Sequence, residues 1–288
     1  MTGTITPREA AEVERVNASG RRPVLLVHGL WLLAGSWDAW ITLLEQRGYA
    51  ALAVDWPGDQ ADHAAAHANA DSLSGVGVGQ VADHAAEVVG ALAHKPVVIG
   101  HSFGGLLAQI IAGRGLSLAT VSIDPAPSRG VLPLPFSALK ASFPVLGNPA
   151  NRKKTVTLTF EQFRYGFANA VDEAEARRLY DTFHTPAPGR PLFQAATANL
   201  DPRTEAQADK RSPRRGPMLV VSGEKDNIVP WALANAAYKQ QRKNQHAPTE
   251  IVEIPGVGHS LVIDRHWEAV AEASLEFLAR HGGGPTES

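Results

Sequence analysis

The pentapeptide Gly100-His101-Ser102-Phe103-Gly104 places a serine between two glycines, directly after the apolar run 96–99 and directly before the apolar stretch 103–113. In a strand, sharp turn and helix, this spacing lifts the serine hydroxyl to the strand end in a backbone conformation that neighbours without a β-carbon permit. A hydroxyl is a poor nucleophile at neutral pH, so acyl-transfer chemistry at Ser102 requires a base and an orienting acid from elsewhere in the chain. Two later apolar runs supply candidates. Residues 217–221 lead into a turn ending in Asp226, which presents a carboxylate at the run's carboxyl end. Ile254-Pro-Gly-Val-Gly-His259-Ser repeats the arrangement with an imidazole in a glycine-flanked loop. The expected roles are Ser102 as nucleophile, His259 as general base and Asp226 as the acid that orients it. The structural alternative, a glycine-rich strand end with a surface serine, leaves the flanking apolar runs without a reason.

These residues need a scaffold that ends several strands on one side. The short runs 23–27, 50–54, 96–99, 119–123, 217–221 and 249–254 are nearly continuous in Val, Leu and Ile, as expected of parallel strands covered on both faces. Between them, 36–48, 78–94, 103–113, 231–243 and 267–280 carry helical spacing, with Ser36 as the N-cap of the first and Gly48 as its stop. The alternation predicts an α/β fold with a doubly wound, mostly parallel sheet. It breaks between about 125 and 216, where prolines, aromatics and amphipathic stretches appear; this reads as a mainly helical cap inserted into a core made of 1–124 and 217–288. Phe136, Phe143, Phe160, Phe163, Tyr165 and Phe167 either line an apolar cavity there or pack the cap onto the core.

The 288 residues suit one domain with an insertion, and 44% hydrophobic residues suffice for a buried sheet. A net charge of -2 offers no broad attraction for nucleic acid or anionic lipid, so neither is expected as a partner. The chain has no cysteine, which excludes disulfides and thiolate chemistry. Residues 1–20 are too charged for an export signal and no run is long enough to span a membrane, so the expected location is cytoplasmic. The tail 281–288 reads as frayed. His63 and His67 stand four apart, but without a third ligand they read as a solvated helix, and no metal is expected. His28 beside Gly29 reads as a structural turn residue and Asp55 as structural also, whereas Trp31 either walls a pocket or fills the core, with its place after the turn favouring the pocket.

The chain order Ser102, Asp226, His259, together with the Gly-x-Ser-x-Gly turn, resembles the α/β-hydrolase superfamily from residue 24 to about 278, and most of all its lidded esterase and haloperoxidase-like branches. The resemblance implies an oxyanion hole from the backbone N–H groups of Phe103 and of Leu30, the latter in a His28-Gly-Leu-Trp31 turn that departs from the His-Gly-Gly-Gly pattern. It makes Asp124 a rival acid, since some relatives carry theirs after the corresponding strand, although Asp226 matches the commoner placement. It implies hydrolysis of a small-molecule ester or lactone with an apolar portion, without a cofactor. Carbon-carbon bond hydrolysis, amide hydrolysis and peracid formation use the same triad, and a non-catalytic ligand-binding protein is the alternative from another class. Epoxide and alkyl-halide chemistry is disfavoured because the related enzymes place an aspartate where this chain has Ser102.

Overall fold

In a computed structural model, residues 5–286 are described. The chain opens with helix α1 (Pro7–Ser19), then runs β1 (Arg22–Val27), α2 (Asp38–Gln46), β2 (Tyr49–Val54), the short α3 (His63–Ala68), α4 (Val78–Ala91), β3 (Val97–His101), α5 (Phe103–Gly113) and β4 (Thr120–Ile123). A long insertion follows, with α6 (Phe136–Leu146), β5 (Thr155–Val156), α7 (Phe160–Gly166), α8 (Glu173–Phe183), β6 (Ala187–Pro188) and α9 (Arg190–Thr197). The chain then returns through β7 (Met218–Gly223), α10 (Trp231–Gln241), β8 (Thr249–Ile254) and α11 (Trp267–Arg280).

Six strands form one sheet in the order β2-β1-β3-β4-β7-β8, and every neighbouring pair is parallel. All six apolar runs expected from the sequence are these strands. The direction of winding reverses between β1 and β3, so their carboxyl ends open a crevice where the connecting chains leave to opposite sides. The register sets Val27 beside Gly100, His101 beside Ile123, and Ile123 beside Val221. The turns after β1, β3, β4, β7 and β8 therefore share one rim, and these turns carry Leu30, Ser102, Asp124, Asp226 and His259.

Helix α5 is buried along its whole length, as its Phe, Gly, Leu, Ile and Ala side chains require, and its one polar side chain, Gln109, is satisfied there by donating to Ser122 Oγ. Its first turn sits against the end of β1: a β-carbon on Gly104 would lie 2.0 Å from the Val27 carbonyl oxygen. The sequence signals for the helices hold in place but not always in detail. Ser36 does not cap a helix; its hydroxyl donates to the Leu33 carbonyl inside a 3-10 turn, and α2 begins two residues later. Gly48 does end that element, with φ at 86°.

Helix α1 was not expected. Thr6 and Glu9 form a reciprocal capping box. The buried Glu9 carboxylate also accepts from the Asp55 amide and from His84 Nε2. Burial disfavours the charge on Glu9, but His84 and the two amides outweigh it and hold its pKa below the ordinary value. The tail is not loose as far as it is described: His281 bonds Glu250 at 2.6 Å and the Gly283 amide donates to Leu278. The part of the frayed-tail expectation that concerns residues 287–288 lies outside the described residues. Among the described residues no helix is long and apolar enough to cross a membrane.

Because the Gly104 contact is with backbone that cannot rotate away, Gly104→Ala is expected to lower stability by about 3 kcal/mol. Urea unfolding followed by circular dichroism checks this, and a midpoint unchanged from the parent chain would contradict the close approach.

Candidate active site

Ser102 follows β3 with φ at 57°, a left-handed conformation that a side chain adopts only when its surroundings enforce it. The Ser102 amide donates to the Ile123 carbonyl and its own carbonyl accepts from Ala126, so the end of β4 and the turn after it hold the serine on one side. The turn after β1 presses against it: a β-carbon on Gly29 would lie 2.7 Å from the Ser102 β-carbon and 3.2 Å from Oγ. This contact puts Leu30 and Phe103, the residues just beyond each turn, on the same side of the sheet. Among the described residues neither of their amides donates a hydrogen bond.

Asp226 and His259 meet at the ends of β7 and β8. Asp226 Oδ2 accepts from His259 Nδ1 at 2.6 Å, and both side chains are fully buried. Asp226 Oδ1 accepts the amides of Ile228 and Val229 at 2.6 and 2.8 Å. Burial alone would favour a neutral acid, yet His259, these amides and a neighbouring carboxyl group keep the Asp226 pKa low. His259 Nε2 is buried and has no hydrogen-bond partner among the described residues, so no hydrogen bond joins it to Ser102 in this state. Ser102 itself is 5% exposed.

Asp124 stands beside this pair, and not in it. Its Oδ1 accepts the Gly223 amide at 2.9 Å, while Oδ2 is buried without a donor. Burial and the adjacent Asp226 charge push its pKa well above the carboxylate range. Asp124, Asp226 and His259 are close enough to share an ion; His259 Nδ1 is bonded to Asp226 Oδ2 and Asp124 Oδ1 to the Gly223 amide, whereas Asp124 Oδ2 is without a partner among the described residues.

Aromatic rings enclose the imidazole of His259. His101 lies with its centroid 4.6 Å away and Phe167, just after α7, meets it edge-on at 4.9 Å. His101 is buried with both ring nitrogens unpartnered among the described residues, and burial together with His259 holds its pKa well below the ordinary value. Sequence reasoning passed over His101 because it fills the variable place in the serine motif. Phe167 was only one of six cap aromatics. Of these, Phe163 and Phe167 are buried and stacked on one another, whereas Phe136 and Phe143 face solvent. Trp31 is buried, edge-on to Phe167, and its indole N–H donates to the Val156 carbonyl, so it bridges the β1 turn and the insertion. His63 and His67 lie ring to ring at 4.5 Å, and His67 Nε2 meets the carbonyl of His184.

The sequence pattern of the alpha/beta hydrolase family matches residues 24–273. The chain belongs to that family. No curated protein matches it in sequence. Among solved structures it is similar to the monoacylglycerol lipase of Paleococcus ferrophilus, at 21% identity and a TM-score of 0.61, over 91% of this chain and 98% of that one. It is also similar to an extracellular alpha/beta-hydrolase from a Paenibacillus species (21%, TM-score 0.62, over 88% and 98%) and to a bromoperoxidase from Bacillus anthracis (19%, TM-score 0.63, over 90% and 92%). At such identities these likenesses establish the shared fold.

In this hydrolase fold the turn after β1 is fixed by a second buried His–Asp pair. His28 Nε2 meets Asp59 Oδ2 at 2.9 Å and Nδ1 meets the Gly29 carbonyl at 2.8 Å, so both ring nitrogens face acceptors and the ring must carry two protons to satisfy them. Burial works against that charge, but Asp59 and the Gly29 carbonyl prevail and raise the His28 pKa. The Asp59 carboxylate also accepts the Trp56 amide, and the Trp56 indole donates to the His28 carbonyl.

The two histidines consequently respond to pH in opposite senses. The raised pKa of His28 gives stability that is complete below the unfolded value of about 6.5 and is lost as pH rises through the folded value. The depressed pKa of His101, like that of His184 at about 3, gives stability that is complete above about 6.5 and is lost on acidification. Imidazole NMR titration should show His28 protonating above pH 6.5 and His101 remaining neutral well below it. Asp59→Asn should bring the His28 midpoint down.

Proposed function

We propose that this α/β hydrolase is a serine hydrolase that cleaves a carboxylic ester or lactone with an apolar portion through an acyl-enzyme. One observation carries the reading: a serine in a strained left-handed turn shares a rim with a buried imidazole whose Nδ1 is bound to a carboxylate and whose Nε2 is uncommitted. That combination is what activation of a weak nucleophile requires.

In the proposed cycle His259 Nε2 takes the Ser102 proton as Oγ bonds to the substrate carbonyl carbon. The amides of Leu30 and Phe103 donate to the oxyanion as it forms, and being backbone groups they work whatever side chain stands at position 30. The imidazolium then gives its proton to the leaving alkoxide, the carbon-oxygen bond breaks, and the acyl group stays on Oγ. A water molecule, deprotonated by His259, attacks the acyl carbon and releases the acid while Ser102 recovers its proton. Asp226 holds the ring and stabilises its charged form without taking the proton. Asp124 assists by donating to Asp226, which offsets part of the cost of a carboxylate in a dry site.

The insertion between β4 and β7 serves in this reading as the cap that closes the site. Trp31, Phe163 and Phe167 form an apolar wall there, which suits an acyl or aromatic group better than a sugar or a phosphate ester.

Stopped-flow release of p-nitrophenol from short-chain and medium-chain esters tests the assignment. A burst equal to the enzyme concentration, followed by slower turnover, is expected of the intact chain. Ser102→Ala should abolish the burst and lower kcat/KM by about 10⁴ or more. A folded, intact chain that forms no acyl-enzyme with any ester would refute the reading. Asp124→Asn, which keeps a donor facing Asp226 and tolerates the φ of 38°, should retain kcat/KM to within about threefold, whereas Asp124→Ala should lose roughly tenfold or more.

A further inference from the structure

Between Asp124 and Glu161 the chain contains no acidic residue, while it contains Arg129, Lys140, Arg152, Lys153 and Lys154. The same stretch holds five large apolar side chains that solvent reaches: Leu132, Leu134, Phe136 and Phe143 are exposed by 73, 76, 80 and 70%, and Leu139 lies between them. A net charge of -2 conceals this local excess of positive charge, because it averages over the whole chain.

Helix α6 explains why the patch is not an accident of a loose loop. Its inner face is apolar and packed: Val145 is buried, and Ala141 faces Gly166 of α7. Its outer face, at positions 136, 139 and 143, is apolar too. A helix apolar on both faces belongs inside a protein core or against a lipid phase. Ahead of it, Leu132 and Leu134 alternate with Pro133 and Pro135, which have no backbone N–H, so this segment carries fewer donors that would go unsatisfied in an apolar phase. Behind it, Arg152, Lys153 and Lys154 are exposed, and among the described residues none of them is paired with a carboxylate. The 3-10 turn Pro149–Lys153 that carries the first two is tied to α6 by Asn151, whose Nδ2 donates to the carbonyls of Pro144 and Val145.

We propose that residues 131–154 dock the protein onto an anionic lipid surface, with Leu132, Leu134, Phe136, Leu139 and Phe143 entering the acyl boundary and Lys140, Arg152, Lys153 and Lys154 meeting the headgroups. Charge decides in favour of lipid over a second copy of the chain: two copies joined through this patch would bring like charges together, whereas an anionic membrane supplies the opposite sign beside an apolar phase. The patch backs onto the site. Ile228, whose amide donates to Asp226, contacts the same Gly166 that Ala141 faces, so α6 lies one layer from the triad. The docking does not require hydrolysis. The inferred substrate, an acyl ester drawn from the lipid phase, does rest on the ester-hydrolase reading.

Vesicle flotation of the full chain tests the proposal, with phosphatidylcholine alone and with phosphatidylglycerol added. The intact chain should float with the anionic vesicles, and raising the salt concentration should weaken this. Phe136→Ser with Phe143→Ser should reduce vesicle affinity at least about tenfold. Lys153→Glu with Lys154→Glu should do the same on anionic vesicles only. Both double variants should keep the parent rate on a small soluble ester, since the altered side chains point to solvent. Ser102→Ala should bind vesicles as the parent does, which separates docking from hydrolysis. The proposal fails if the intact chain floats with neither vesicle, if the Phe variant binds undiminished, or if sedimentation shows a dimer that the Phe variant dissolves while vesicles remain unbound.

Discussion

A negative charge held at Asp226, away from water, sets the terms for everything around it. An isolated carboxylate in such a place would take up a proton. Here two backbone amides from its own loop and His259 Nδ1 surround it with donors, and the carboxyl group of Asp124 stands beside it. These groups arrive from the ends of three neighbouring strands, β4, β7 and β8, so the charge is stable only where parallel strands finish together. The all-parallel sheet is thus a condition for the site, and the fully buried α5 is in turn the element that fixes Ser102 on the same rim.

The sheet and the order of its strands' functional turns were legible in the sequence because each signal was local. A buried parallel strand writes itself as a Val, Leu and Ile run, and a serine between glycines marks where the helix between β3 and β4 begins. The six strands and the helices that cross between them accordingly fall close to where the apolar runs put them. What was not legible depended on contacts distant in sequence. His84 and Glu9 are 75 residues apart, and nothing in the charged N-terminal stretch announces that one of its glutamates is buried against a histidine. Asp59 reads as a loop acid until His28 is found against it. Phe136 and Phe143 read as cavity-lining or cap-packing rings, because a sequence pattern does not say which apolar face has a partner.

Two histidine–aspartate pairs sit at one rim in different surroundings. His28 faces acceptors on both nitrogens, which suits a residue that keeps a turn rigid. His259 has one nitrogen bonded to Asp226 and one without a partner among the described residues. The same pair of residue types is set apart by what the second nitrogen meets.

The insertion between β4 and β7 is tied to the core by main-chain hydrogen bonds at separate places. Thr185 donates to the Trp31 carbonyl, and Ser260, next to His259, donates to the Phe167 carbonyl. Among the described residues helix α6 makes no such main-chain tie to the core; it packs on α7, α9 and the turn that follows it, and on the apolar core through Val145 and Ala138. With Ser102 nearly covered, a bulky molecule reaches its hydroxyl only if part of this cover is displaced, and the part pinned by main-chain hydrogen bonds resists displacement most. The cover is therefore unevenly fastened: the stretch through α6 is held by side-chain packing, whereas Phe167 is held over the imidazole by a main-chain hydrogen bond. Displacing the loosely fastened stretch would leave the Asp226–His259 pair and the ring above it in place, so access to Ser102 and the integrity of that pair are separable properties of the fold.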